Sequence, residues 1–131
     1  MGMDNYAARR PEGGLTEEDR QAFAQAGIDL CGGLESDGTV SFRGKVYNTL
    51  VEEITGVRLY QEWIAPEVVR QMAEALNRYS AEELAEIWDE VEPLNKRIFG
   101  ENAFHSDRET GDMQRFFAIC AERGLGLIGW W

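Results

Sequence analysis

The spacing of apolar residues along the chain predicts five helices. In each of them apolar residues recur every three or four positions, which is the spacing of one buried helix face. The first helix is expected to begin at Thr16, where Asp19 three positions later resembles a capping box, and to end at Gly27. The second ends at Gly56, because glycine accepts the left-handed conformation of a helix stop. The third begins at Pro66, where the missing N–H of proline has no consequence.

The fourth and fifth helices follow from equally local signals. Ser80 and Glu83 have the spacing of a full capping box, and Pro93 ends the fourth helix. The fifth helix is predicted from about Arg108 to a cap at Gly124. We expect the third and fourth helices to pack as an antiparallel pair.

Two segments predict β-structure instead. Asp37-Gly38 is a favoured two-residue turn followed by alternating apolar and polar residues, so we predict a hairpin near residues 33–43. Residues 125–131 are short, apolar and spaced by glycine, which predicts a buried terminal strand. The predicted fold class is therefore α+β, predominantly helical, with about five helices and a small antiparallel sheet.

The predicted core begins after the first residues of the chain. Residues 1–14 contain Pro11 and two adjacent glycines with little apolar periodicity, so they predict a flexible N-terminal tail. Residues 15–131 then form a single compact domain, because a chain of 131 residues is too short for two adequate cores. A hydrophobic content of 44% supplies the material for one core.

The charge balance limits the classes of partner. A formal net charge of −11 without a basic stripe disfavours direct binding to nucleic acid or to an acidic membrane surface. No stretch approaches the roughly 18 apolar residues that a membrane helix needs, and the N-terminus does not resemble a signal peptide. The two cysteines, Cys31 and Cys120, have no pairing motif. We therefore expect a cytoplasmic protein.

The amino-acid usage adds an expectation about origin. Eleven arginines against two lysines indicate a high-GC coding bias, which favours a bacterial or phage source. Adaptation to salt is an alternative explanation of the acidity.

The acidity is concentrated in the predicted fourth helix. Residues 80–92 contain six carboxylates and no lysine or arginine. Carboxylates near a helix C-terminus oppose the helix macrodipole by roughly 0.3 to 1 kcal/mol each at low salt, so helix formation does not explain them all. One interpretation is a solvated face that maintains solubility; the other is a docking surface for a basic partner.

Aromatic residues extend the predicted docking surface. Adjacent tryptophans in a strand point to opposite faces, so Trp130 and Trp131 cannot both face one core. An exposed tryptophan is a frequent centre of a protein interface. The predicted partner-binding residues are Glu82, Glu86, Asp89, Glu90, Trp63 and Trp131.

Candidate chemistry is sparse. The chain lacks the motifs of nucleophile elbows, phosphate loops, dinucleotide sites and calcium loops, so neither a cofactor nor a metal is predicted. His105 with Asp107 could form a base and its orienting carboxylate, although a histidine in a predicted loop is expected at the surface. Thiol chemistry between Cys31 and His105 is a weaker alternative. An alternative pocket would be tested first at His105, Asp107, Arg43 and Tyr47.

The leading hypothesis is a small, acidic, non-enzymatic interaction module that binds or inhibits a basic protein, for example a nucleic-acid-binding protein. Immunity proteins and phage anti-defence proteins combine these properties. The alternatives are a small-ligand-binding or enzymatic domain with a pocket near His105, and a structural subunit of a homo-oligomer.

Overall fold

The computed structural model describes residues 3–32, 36–92 and 105–130. These ranges contain five helices and four strands. In chain order the elements are β1 (Asp4–Ala8), α1 (Glu17–Gln25), β2 (Ser41–Arg43), α2 (Gly44–Thr55), β3 (Trp63–Ile64), α3 (Pro66–Leu76), α4 (Ala81–Val91), α5 (Asp107–Arg123) and β4 (Gly126–Trp130). The predicted α+β, mostly helical fold with a small antiparallel sheet is confirmed.

Four of the helix caps predicted from the sequence are present in the structure. Thr16 accepts a hydrogen bond from the Asp19 N–H, and the Asp19 carboxylate accepts one from the Thr16 N–H. Ser80 and Glu83 form the same reciprocal pair at the start of α4. The predicted glycine stops of α2 and α5 both adopt positive φ, at Gly56 and Gly124.

The first strand corrects the prediction of a flexible tail. Residues 4–8 form β1, which lies between β2 and β4 in a sheet of order β2-β1-β4-β3. Ala7 and Ala8 are buried, and every neighbouring strand pair is antiparallel. The sequence gives little signal for β1, because its apolar residues are small and its stability comes from pairing with a strand at the far end of the chain.

The strand predicted within the hairpin pairs with a different strand than expected. The predicted strand is present as β2, but it pairs with β1. Gly38 has φ 82°, whereas Asp37 has no positive φ; its carboxylate instead accepts hydrogen bonds from the N–H groups of Thr39 and Val40. This side-chain turn leads the chain into β2 without a two-residue hairpin. Residues 33–35 of the predicted hairpin lie outside the described residues.

The helices cover one face of the sheet. Register places Ala7, Phe42 and Leu127 on the buried face, where Phe42 contacts Phe116 with ring centroids 5.0 Å apart. Both α3 and α4 pack mainly against α5, so the predicted pairing of α3 with α4 is wrong. Helix α5, whose buried face carries Phe116 and Phe117, contacts both of them. Helix α4 contacts α5 and α2.

Gly44 provides a stability test of the junction between the sheet and α2. A methyl group at this position would overlap Asn5 Oδ1 and Met3 Cε. Asn5 cannot withdraw freely, because it is buried and its Nδ2 donates to the Leu59 carbonyl at 3.1 Å. We therefore expect Gly44→Ala to lower the free energy of unfolding by about 1 to 3 kcal/mol, measured by urea denaturation.

Gly111 in α5 is the matched control. A Cβ there would meet its nearest neighbours at 3.6 Å, an ordinary contact distance. Gly111→Ala should leave stability unchanged or raise it by up to about 1 kcal/mol, because alanine is the better helix former. Equal effects of the two substitutions would contradict the proposed overlap at Gly44.

Candidate functional site

Helix α4 presents three exposed carboxylates in one line. Glu82, Glu86 and Glu90 stand at i, i+4 and i+8, and all three are exposed. Within residues 3–32, 36–92 and 105–130, none of them forms an ion pair with a lysine or arginine. We call these three residues the acidic row.

The other carboxylates of this segment have structural partners. Glu83 completes the cap of α4, and Glu92 accepts a hydrogen bond from Trp88 Nε1 at 3.3 Å. Asp89, half-buried, accepts hydrogen bonds from His105. The structure thus separates carboxylates that stabilise the fold from the acidic row, for which no such contact is found in the described part of the chain.

An open cleft of about 630 Å³ runs between the acidic row and the start of α5. We call it the α4 cleft. Its lining consists of Glu82, Ala85, Glu86, Asp89, Glu90, His105, Ser106 and Asp107. Five of these eight described side chains are carboxylates, and none of the eight is a lysine or arginine. The cleft therefore has a negative field that favours a cationic group.

His105 is buried beside this cleft, which corrects the prediction of a surface histidine. Its side chain is 2% exposed. The imidazole stacks on the Trp88 indole, with ring centroids 3.9 Å apart and an interplanar angle of 13°. Asp89 Oδ1 lies 2.7 Å from both the backbone nitrogen and Nδ1 of His105. Consecutive residues of α4 thus supply an aromatic plate and a carboxylate to the same histidine.

The polar contacts of His105 are unequal at its two ring nitrogens. An ionised carboxylate only accepts hydrogen bonds, so Nδ1 carries the proton that faces Asp89. Nε2 is buried and has no hydrogen-bond partner among the described residues. Nδ1 is therefore held by Asp89, whereas Nε2 makes no hydrogen bond to the described residues.

Behind Trp88 lies Tyr47, whose ring centroid is 5.5 Å from that of the indole. The Tyr47 hydroxyl donates to Glu109 at 2.6 Å and accepts from the Cys31 N–H at 2.7 Å. Burial, with the hydrogen bond to Glu109, raises the pKa of Tyr47 well above its usual value. Burial and the nearby Glu109 charge also raise the pKa of Cys31, so this thiol lacks the thiolate character of a nucleophile.

The structure unites most of the predicted partner-binding residues but not all. Glu82, Glu86, Asp89 and Glu90 meet at the α4 cleft. Trp63 pairs with Ile128 on the face of the sheet that the helices leave uncovered, so it belongs to a different surface. Trp131 lies outside the described residues, and its neighbour Trp130 is 61% exposed.

The four residues of the predicted alternative pocket do not converge. His105 and Asp107 line the α4 cleft, but Arg43 and Tyr47 do not. Tyr47 is fully buried behind Trp88, and Arg43 ends β2 opposite Asp4. Residues 93–104 of the predicted pocket loop lie outside the described part of the chain.

Sequence reasoning missed the role of Trp88 in the site. Trp88 lies on the buried face of α4, but no spacing rule joins it to a histidine beyond the next loop. In the described ranges, no group of three or more side chains is arranged as a metal site. None of the helices there has the length and apolar character needed to cross a bilayer.

Comparison of the chain with protein-family models, with curated proteins and with solved structures found no match.

Proposed function

We propose that the protein is a non-enzymatic interaction module that binds a basic protein at the α4 cleft. The observation that carries the proposal is the acidic row, whose exposed carboxylates line an open cleft and lack cationic partners within the described residues. Like charges at i and i+4 destabilise a helix by roughly 0.2 to 0.5 kcal/mol per pair. A partner that brings positive charge to the row relieves this repulsion.

The expected mode of action is steric and electrostatic competition. Clustered carboxylates accelerate encounter with a positively charged surface, and a bound acidic protein covers that surface. A protein that binds nucleic acid through a basic surface is therefore the favoured target class, and covering that surface would inhibit it. This mode of action is that of an immunity protein or a phage anti-defence protein, acting in the cytoplasm of a bacterial host.

The acidic row can be tested by removing its charge without changing its shape. In the triple variant Glu82→Gln, Glu86→Gln, Glu90→Gln we expect the affinity for a protein captured from a bacterial lysate to fall at least about tenfold, or 1.4 kcal/mol. Isothermal titration calorimetry with the purified partner measures the change. Wild-type affinity should also decrease as salt is raised, because the attraction is screened.

The matched control removes the same charge elsewhere. Glu53, Glu67 and Glu74 are exposed on α2 and α3, and their change to glutamine leaves the same net charge as the row variant. This control should weaken binding by less than about threefold, a change of under 1 kcal/mol. If the control and the row variant weakened binding equally, net charge alone would explain the attraction and the proposed site would be wrong.

The row variant also has an expected effect on stability. Relief of the two like-charge pairs should leave the free energy of unfolding unchanged or raise it by up to about 1 kcal/mol. A clear loss of stability would mean that the row supports the fold, and the functional interpretation would lose its basis.

A further inference from the structure

His105 lines the α4 cleft, and its buried Nε2 has no hydrogen-bond partner among the described residues, which the acidic row does not explain. We propose that the cleft receives an arginine side chain of the partner, with His105 Nε2 accepting a hydrogen bond from the guanidinium group. This inference rests on the proposed function and specifies which group of the basic partner enters the site. It is carried by the buried, unsatisfied nitrogen and by the carboxylates around the same cleft.

The protonation of His105 defines what Nε2 can bind. Because Asp89 fixes the proton on Nδ1, a neutral imidazole presents the lone pair of Nε2 as an acceptor. A buried acceptor without a partner destabilises a protein by roughly 1 to 3 kcal/mol. A ligand that supplies an N–H donor removes this penalty on binding.

The surroundings select a cationic donor. Five carboxylates line the cleft, so a neutral donor would leave their charge uncompensated. A guanidinium group carries five N–H donors in a rigid plane and can serve the imidazole nitrogen and a carboxylate at the same time. It is also less strongly hydrated than an ammonium group, which favours its entry beside the buried Trp88 and His105 rings.

Access to Nε2 requires a local rearrangement, because the atom is shielded from solvent in the free protein. The imidazole stacks on Trp88, so displacement of the ring changes the environment of the indole. Binding should therefore be accompanied by a change in Trp88 fluorescence.

Only the neutral imidazole can act in this way, because an imidazolium has no acceptor lone pair at Nε2 and repels a guanidinium.

The experiment is nitrogen NMR of the full chain. The sequence contains one histidine, so its two ring nitrogens give unambiguous signals. The free protein should show a protonated Nδ1 and an unprotonated Nε2. A short acetylated and amidated peptide with one arginine should shift the Nε2 signal in a saturable manner, with a dissociation constant on the order of 1 mM. The same peptide with citrulline, which lacks the charge, should not.

A protonated Nε2 in the free protein, or an Nε2 signal that arginine leaves unchanged, would overturn the inference. His105→Phe keeps a flat ring against Trp88 but removes the acceptor, and it should weaken binding of the arginine peptide at least about tenfold. Glu53→Gln, which removes one exposed charge from α2 outside the cleft, is the control and should bind the arginine peptide within about threefold of the wild type.

The two proposals fail separately. If His105→Phe bound the basic protein as tightly as the wild type while the acidic-row variant did not, the arginine site would be wrong and the proposed function would stand. If neither variant weakened binding, both would be wrong. The NMR result on the wild-type chain decides the arginine site even where His105→Phe does not fold.

Discussion

Asp19→Asn should lower the free energy of unfolding by about 2 to 4 kcal/mol, because it removes the charge of a buried carboxylate that accepts hydrogen bonds from two partly exposed arginines. Asp19 is fully buried. Its carboxylate accepts two hydrogen bonds from Arg9, at 2.7 and 2.8 Å, and one from Arg123 at 2.7 Å. It also accepts the Thr16 N–H at 3.0 Å, which is half of the α1 capping box. One side chain thus joins α1, the end of β1 and the end of α5.

The same contacts set the pH dependence. Burial acts to raise the pKa of Asp19, but the hydrogen bonds from Arg9, Thr16 and Arg123 outweigh it and hold the pKa well below its usual range. Since the unfolded chain then binds the proton more readily, the Asp19 contribution is complete above the ordinary aspartate pKa of about 3.9 and is lost as the pH falls below it. The difference between wild type and Asp19→Asn should be constant from neutral pH to about 5 and shrink below about 4.

Asp29→Asn is the control for this prediction. Asp29 pairs with Arg108 at 3.3 Å, but both side chains are well exposed. Exposed pairs contribute about 0 to 1 kcal/mol, so this variant should have nearly wild-type stability. Denaturant titrations over a pH series measure both variants, and a loss below about 1 kcal/mol for Asp19→Asn would refute the importance of the Asp19 carboxylate.

Trp88→Ala is expected to destabilise the protein by about 3 to 5 kcal/mol, the usual range for removal of a buried tryptophan. Trp88 is almost completely buried and contacts Tyr47 on one side and His105 on the other. Its loss should also release the imidazole, so the His105 ring-nitrogen signals should shift towards those of an exposed histidine. Urea denaturation and NMR measure the two effects.

Trp130→Ala provides the comparison with an exposed tryptophan. Because Trp130 is 61% exposed, its truncation should change stability by no more than about 0.5 kcal/mol. If Trp88→Ala changed stability as little as Trp130→Ala, the stacking of Trp88 on Tyr47 and His105 would not stabilise the position of α4.

The features that sequence reasoning predicted correctly depend on short-range chemistry. The capping boxes at Thr16 and Ser80 and the left-handed glycines at Gly56 and Gly124 are set by residues within a few positions of one another. The apolar spacing of each helix is also a local property. A window of about 4 to 18 residues is therefore enough to predict these helices and their caps.

The features that were wrong depend on contacts between distant segments. Strand β1 has small apolar residues and becomes a central strand because β2 and β4 pair with it. His105 has no periodic neighbours, and its burial results from stacking on Trp88. The sequence shows that carboxylates are concentrated in α4. The structure is needed to separate the acidic row from Glu83, Asp89 and Glu92, whose carboxylates accept hydrogen bonds within the fold.

The pairing of β1 with β4 has a consequence for folding during synthesis. The two strands at the centre of the sheet come from opposite ends of the described chain, with Asp4 opposite Trp130. During synthesis β1 leaves the ribosome before its longest hydrogen-bonded neighbour, which emerges only after the five helices of the described ranges have been made. Closing so long a loop is entropically unfavourable until the helices have collapsed, so β1 should remain unpaired along this edge and accessible to chaperones until β4 has been made.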